Sequence, residues 1–189
     1  MTRFRTLPPE AEPVTLAEAK AYLRLQSDSE DDLVTGLVKA AREDVERATG
    51  TALIDQGWRL VLDAWPVNGI AMLMPFPVKE ITSVTAYGSE GEAWVVNPAD
   101  YLLDANSRPA RLYFETRPEP LRVMNGIEID FTAGFGEAGP DVPDLLRRAI
   151  LLLVAHWYEF RAQVSAEDQP VSYPAGYDRM IAGYKARRL

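Results

Sequence analysis

Cysteine is absent from the chain, which removes disulfides, thiolate metal sites and cysteine nucleophiles together. Histidine occurs once, at His156, so an imidazole metal site or a histidine relay would have to be built around that residue. Long apolar runs are missing too. The longest, Ala149 to Tyr158, includes His156 and lies between Arg147-Arg148 and Glu159-Phe160-Arg161, whereas a membrane span needs about 18 apolar residues. The opening residues Met1-Thr2-Arg3-Phe4-Arg5 are basic, but Pro8-Pro9 follow before any stretch of signal-peptide length. These absences predict a cytoplasmic protein with no membrane partner.

Basic charge is also in short supply. Against 28 acidic residues stand 20 lysines and arginines, a formal net charge of −8. Tight binding to phosphates needs a basic surface that displaces counterions, so nucleic acid is not expected as a specific ligand. The charges are unevenly placed: Asp28, Glu30, Asp31 and Asp32 cluster at one point, and Arg179, Lys185, Arg187 and Arg188 gather at the end.

What is present suits an ordinary folded protein. The 189 residues are 47% hydrophobic and 25% charged, enough for one core with a smaller subdomain beside it. Residues 1–13 read as an extended lead-in. Thr15 and Glu18 form a T-x-x-E capping box ahead of a first helix carrying Leu16, Ala19, Tyr22 and Leu23. A second helix is expected from about Ser29 to Thr49, with Asp31 and Asp32 in its first turn. Its apolar stripe is Leu33, Leu37, Ala41, Val45 and Ala48, broadened by Val34 and Val38, and Gly50 stops it.

The hydrophobic period then changes from 3.6 to 2. Trp58, Leu60 and Leu62 alternate with Arg59, Val61 and Asp63. Val78 to Tyr87, the turn Gly88-Ser89-Glu90-Gly91 and Ala93 to Val96 read as a hairpin. Leu112 and Phe114 suggest another strand, and Ile127, Ile129 and Phe131 alternate with Glu128, Asp130 and Thr132. A third long helix starts near Pro143-Asp144 and runs to about Gln163. It is apolar around nearly its whole circumference from Ile150 to Tyr158, so its second face is expected to be buried in the core or against another subunit. Tyr177 to Arg188 reads as a short helix. The fold class is therefore α+β: a helical bundle, made of two N-terminal helices plus the long C-terminal one, with an inserted, mainly antiparallel β subdomain. The expected divisions are residues 1–55, 56–139, 140–169 and 170–189.

Candidate chemistry is sparse. Gly134-Phe135-Gly136-Glu137-Ala138-Gly139 is a literal G-x-G-x-x-G. In a dinucleotide site the helix begins inside that motif, and here Pro140 and Pro143 intervene, which favours a plain glycine-rich loop. Asp100 and Asp104 flank Tyr101 without a partner that would suggest acid–base work. Trp58, Trp65, Trp94 and Trp157 could form a binding platform but more often fill cores and interfaces. No serine sits in a G-x-S-x-G elbow, and no G-x-x-x-x-G-K is present. No catalytic site, metal site or cofactor is expected.

The order of segments carries a resemblance. Pro13 to Lys20, Tyr22-Leu23-Arg24 and the acidic step into Asp32-Leu33 open the pattern. Ala40-Ala41-Arg42, Val45-Glu46, Thr49-Gly50, Leu53-Ile54 and Trp58-Arg59-Leu60 with Trp65-Pro66 follow. The strand pair around Ile81 to Gly91, Phe131 to Gly136, and Val142-Pro143 leading through Ala149-Ile150 to Tyr158-Glu159-Phe160-Arg161 complete it. In this order the chain resembles the head–tail connector (adaptor) proteins of tailed phages, in the longer form found in prophages and gene transfer agents. Thr51 departs from the pattern, which has arginine after the glycine.

The resemblance implies a structural virion protein. It implies a ring of about twelve subunits below the portal, lengthening a channel through which DNA passes without specific binding, with a stopper or completion protein on the tail side. Leu153, Trp157, Tyr158 and Arg161 are then the candidate subunit contacts. Residues 179–189 hold four bases and no acid, after a joint at Pro170 and Pro174. Met180, Ile181 and Tyr184 with Lys185, Arg187 and Arg188 are the candidate residues for docking on the portal. The alternatives are a small ligand- or carbohydrate-binding module or enzyme using the β region, which would show a deep pocket with convergent polar groups, or another phage morphogenesis factor such as a tail-completion protein.

Overall fold

A computed structural model describes residues 1–119, 121–160 and 173–185. Arg161, Pro170, Arg187 and Arg188 lie outside them. The chain divides into two compact units, one formed by Met1–Glu10 with Asp55–Gly134, the other by Ala11–Ile54 with Phe135–Leu189.

The first unit is built of β-strands with one short 3-10 turn at Pro98–Asp100, and every strand pair in it is antiparallel. Its strands are β1 (Thr2–Leu7), β2 (Gln56–Leu62), β3 (Ile70–Leu73), β4 (Val78–Tyr87), β5 (Ala93–Val95), β6 (Tyr101–Asp104), β7 (Ala110–Phe114) and β8 (Ile127–Ala133). They form a five-stranded sheet in the order β1-β2-β8-β4-β5 and a three-stranded sheet in the order β3-β7-β6. The alternation read in β8 is reproduced residue for residue: Ile127, Ile129, Phe131 and Ala133 are buried and the residues between them half-buried. Leu60, Val84 and Ala86 join them from the neighbouring strands, and Ala71, Leu73, Ala110, Leu112 and Phe114 line the buried face of the smaller sheet. The expected hairpin is β4–β5, with Gly91 at φ +92° in its turn. Trp65 packs edge-on against Phe114 at 4.9 Å and donates its indole N–H to the Pro118 carbonyl at 3.0 Å.

One boundary needs correction. The lead-in is not merely extended: Thr2–Leu7 is the edge strand of the larger sheet, so residues 1–10 belong to the β unit and not to the N-terminal helical part. All six of its residues are exposed, so it shows no alternation of burial from which a strand could be read.

The second unit is helical. It contains α1 (Leu16–Leu23), α2 (Asp31–Thr49), α3 (Asp144–Phe160) and the short α4 (Tyr177–Ile181). The capping box is complete: Glu18 N–H donates to Thr15 Oγ1 at 3.2 Å and Thr15 N–H to Glu18 Oε2 at 2.8 Å. The Thr15 amide, helped by Arg147, holds the Glu18 carboxyl below its ordinary pKa. Gly50 ends α2 in the left-handed conformation. The stripe that faces the core is Val34, Val38, Ala41, Val45 and Thr49; Leu33 and Ala48 are exposed and Leu37 only partly covered. The expected stripe was thus centred about one residue off, because Leu33 and Val34 compete for one turn and the i, i+4 row from Val34 wins the inward side.

The glycine-rich loop has a steric explanation. A Cβ on Gly134 would lie 2.4 Å from the Asp55 backbone nitrogen, and one on Gly139 would lie 2.7 Å from the Pro13 carbonyl oxygen. These glycines are required by close backbone approach.

Candidate assembly surface

The α3 sequence places Leu146, Ala149, Ile150, Leu153 and Val154 at helical spacing, and all five are buried. They share a core with Val34, Val38, Ala41 and Val45 of α2, Ala19 of α1, and Leu53, Ile54, Val14 and Val142. Leu151, Leu152, Trp157 and Tyr158 pack on the margin of this core and remain partly exposed, while Leu145 is 50% exposed. The apolar circumference of α3 therefore resolves into a buried stripe and an incompletely covered flank. Leu153 faces its own core and does not reach the flank. Tyr158 is tethered, its hydroxyl donating to Glu30 at the start of α2. His156 lies against the Phe160 ring at 4.5 Å.

The C-terminal segment is built into the same unit. Tyr177 and Ile181 are buried in the core, with Met180 and Tyr184 packed partly against it. The Tyr177 hydroxyl donates to Asp44 Oδ2 at 2.9 Å and the Tyr173 hydroxyl to Asp44 Oδ1 at 3.2 Å, while the two rings stack at 5.0 Å. Arg47 pairs with the same carboxylate. Burial, reinforced by the Asp44 charge, pushes the Tyr177 pKa far up, so its proton stays in this bond. Ile181, one of the docking candidates, therefore faces inward, because the chain's own helices provide the groove it needs. Lys185 is exposed and pairs with Asp178 at 2.9 Å.

One buried charged group could not be foreseen from the sequence. Arg42, 2% exposed, donates Nε to Glu12 Oε2 at 2.7 Å and a terminal nitrogen to Glu46 Oε2 at 2.9 Å, with Glu43 at 3.5 Å. Burial works against its charge, but Glu46, Glu12 and Glu43 outweigh it and the pKa rises. Glu46 also accepts the Leu53 N–H at 2.9 Å, so one cluster ties α2 to the residues on either side of it. The i, i+4 spacing of Arg42 and Glu46 was the only available signal, and it reads equally as a solvated pair. At the departure from the family pattern, Thr51 is buried, with its hydroxyl 2.6 Å from that of Thr49.

The remaining candidates have structural partners. Asp104 binds Arg111 at 2.6 Å and accepts the Asn106 and Ser107 amides at 3.2 Å, and Arg111 first of all holds its pKa down. Asp100 accepts from the Thr116 hydroxyl at 3.3 Å. The tryptophans sit on separate elements and build no common platform, Trp65 being buried and Trp58, Trp94 and Trp157 half-buried. A shallow open depression of about 590 Å³ runs along α1, lined by Thr15, Leu16, Ala17, Lys20, Ala21 and Leu25. No carboxylate lines it. Among the described residues no group of three or more acidic or histidine side chains could hold a metal ion, and no helix is long and apolar enough to cross a membrane.

An α+β chain with an inserted antiparallel unit, polar groups committed to its own framework and an incompletely covered helix flank is the build of a protein that works by assembly. The profile of the head completion proteins matches residues 12–175, and the chain belongs to that family. It is a structural head–tail connector subunit of a virion, not an enzyme. Three solved assemblies contain similar chains, each covered to 97% by the whole of this one. In the neck of an empty gene transfer agent particle with sixfold symmetry the similar chain is 28% identical, with a TM-score of 0.83. In the virion of a native gene transfer agent particle the values are the same. In the native neck with twelvefold symmetry they are 27% and 0.81. Among curated proteins none matches.

Proposed function

We propose that the chain forms a ring in the neck of its particle, seated below the portal protein and lengthening the channel through which DNA passes. The observation that carries this is the full-length likeness to chains in necks of sixfold and twelvefold symmetry. A cyclic ring needs two different surfaces on each subunit, one meeting the other on the next copy. The α3 side chains left partly open, Trp157 and Tyr158, and the exposed Leu145 are the candidates for these surfaces, and Arg161 follows them in sequence. The net charge of −8 suits a channel wall that DNA passes without sticking. A stopper or completion protein would meet the tail-side end of the ring.

Docking on the portal is assigned to the basic end of the chain, Lys185, Arg187 and Arg188, together with the partly exposed Met180 and Tyr184. Because Tyr177 and Ile181 are core residues, removing residues 176–189 would damage the fold and could not test this. Reversing charge at Lys185, Arg187 and Arg188 together is the cleaner experiment. The triple variant should melt like the parent yet lose co-purification with the portal protein. Undiminished portal binding would refute the assignment.

A further inference from the structure

The larger sheet has two open edges, and they are chemically different. β1 is a six-residue edge strand exposed at every position, with Phe4 45% and Leu7 66% exposed. Soluble proteins shorten, charge or cover such edges, because unpaired backbone groups invite another strand. The other edge is β5, where Val95 is 74% exposed. Arg3 and Arg5 make β1 basic, with no acid in Thr2–Leu7. The turn that leads into β5 carries Glu90 and Glu92, both exposed, and no base.

The register puts matching side chains on matching faces. Phe4 is opposite Arg59, which is opposite Asp130, and Val95 is opposite Thr85, which is opposite Glu128. Asp130 and Glu128 are two residues apart on β8, so Phe4 and Val95 lie on the same face of the sheet. By the same reasoning through Leu60, Ile129, Ile127 and Ala86, Arg3 and Arg5 share the opposite face with Trp94. Five antiparallel neighbours make β1 and β5 run in the same direction.

On the ring assembly set out above, we propose that β1 of one copy pairs in parallel with β5 of the next, joining the five-stranded sheets edge to edge around the ring. Phe4 then meets Val95 on one face; on the other, Arg3 and Arg5, which lie over Trp58 and against Gln56 of their own sheet, face Trp94 and the glutamate turn of the next copy. Pairing β1 with β1 would oppose arginines, and pairing β5 with β5 would oppose glutamates. Both are disfavoured by like charge, which leaves the head-to-tail contact that a cyclic ring uses.

The absence of native cysteine allows a direct test. Phe4→Cys and Val95→Cys are introduced singly and together into the full chain, co-assembled with the portal protein, oxidised mildly and run on non-reducing gels. Unchanged melting of each variant confirms that the exposed positions tolerate the change. The double variant should give a ladder of linked subunits, and a mixture of the two single variants should give linked pairs that neither gives alone. Rings visible by electron microscopy without a ladder would overturn the edge pairing while leaving the ring intact. Single variants that dimerise on their own would also overturn it. The absence of both rings and ladder would sink the ring reading as well.

Discussion

Arg42 is the side chain on which the helical unit depends most at the scale of single residues. It is buried beside Glu12, Glu43 and Glu46, so replacing it takes a cation away from a cluster whose Glu46 carboxylate is largely covered. Breaking a buried pair in this way costs about 3–5 kcal/mol. Arg42→Met should lower the unfolding free energy by that order in a denaturant titration, and a loss below about 1 kcal/mol would mean that the carboxylates relax into solvent. Tyr177 makes a second residue-level test. Its folded pKa is raised, so the unfolded chain gives up this proton first as pH climbs past about 10. The stability it contributes is complete below that pH and is lost above it. Tyr177→Phe should cost about 1–2 kcal/mol at pH 8 and flatten the decline measured between pH 9 and 11. An unchanged alkaline slope would contradict the assigned bond to Asp44. Neither contact could be found from sequence, because Arg42 and Asp44 flank Glu43 on α2 and read like ordinary solvated charges of a helix face.

At the scale of elements, α3 divides its apolar residues between two tasks. Leu153→Asp places an unpaired charge in the core, and the protein should fail to fold. Leu145→Asp changes an exposed residue at the start of the same helix; its melting temperature should stay within a few degrees of the parent, while assembly weakens. Size-exclusion chromatography combined with thermal melting separates the two outcomes, and a Leu145 variant that assembles normally would remove the first turn of α3 from the contact. The sequence read the long helices and β8 well because their periodicity repeats over several turns or strand pairs. It read the four-residue strands β3 and β6 not at all, since so short a segment gives one inward pair and no pattern. It placed Leu153 on the flank because composition reveals that a helix is apolar all round, but not which side its neighbours take.

For the whole molecule, the change of period near residue 56 and back near 140 marked where the chain leaves and re-enters the helical unit, the return falling about five residues earlier, after Gly134. What stayed hidden was the return of residues 1–10 to the β unit, a pairing over more than fifty residues with no local signal. The family was legible because the order of segments from Pro13 to Phe160 is a property of the whole chain. The ring is the claim at this scale, and symmetry is what tests it. Electron microscopy of the full chain co-expressed with its portal protein should show closed rings of a single cyclic symmetry on the portal, of about twelve subunits. Portal particles bare of the chain, or carrying it as isolated subunits, would contradict the ring.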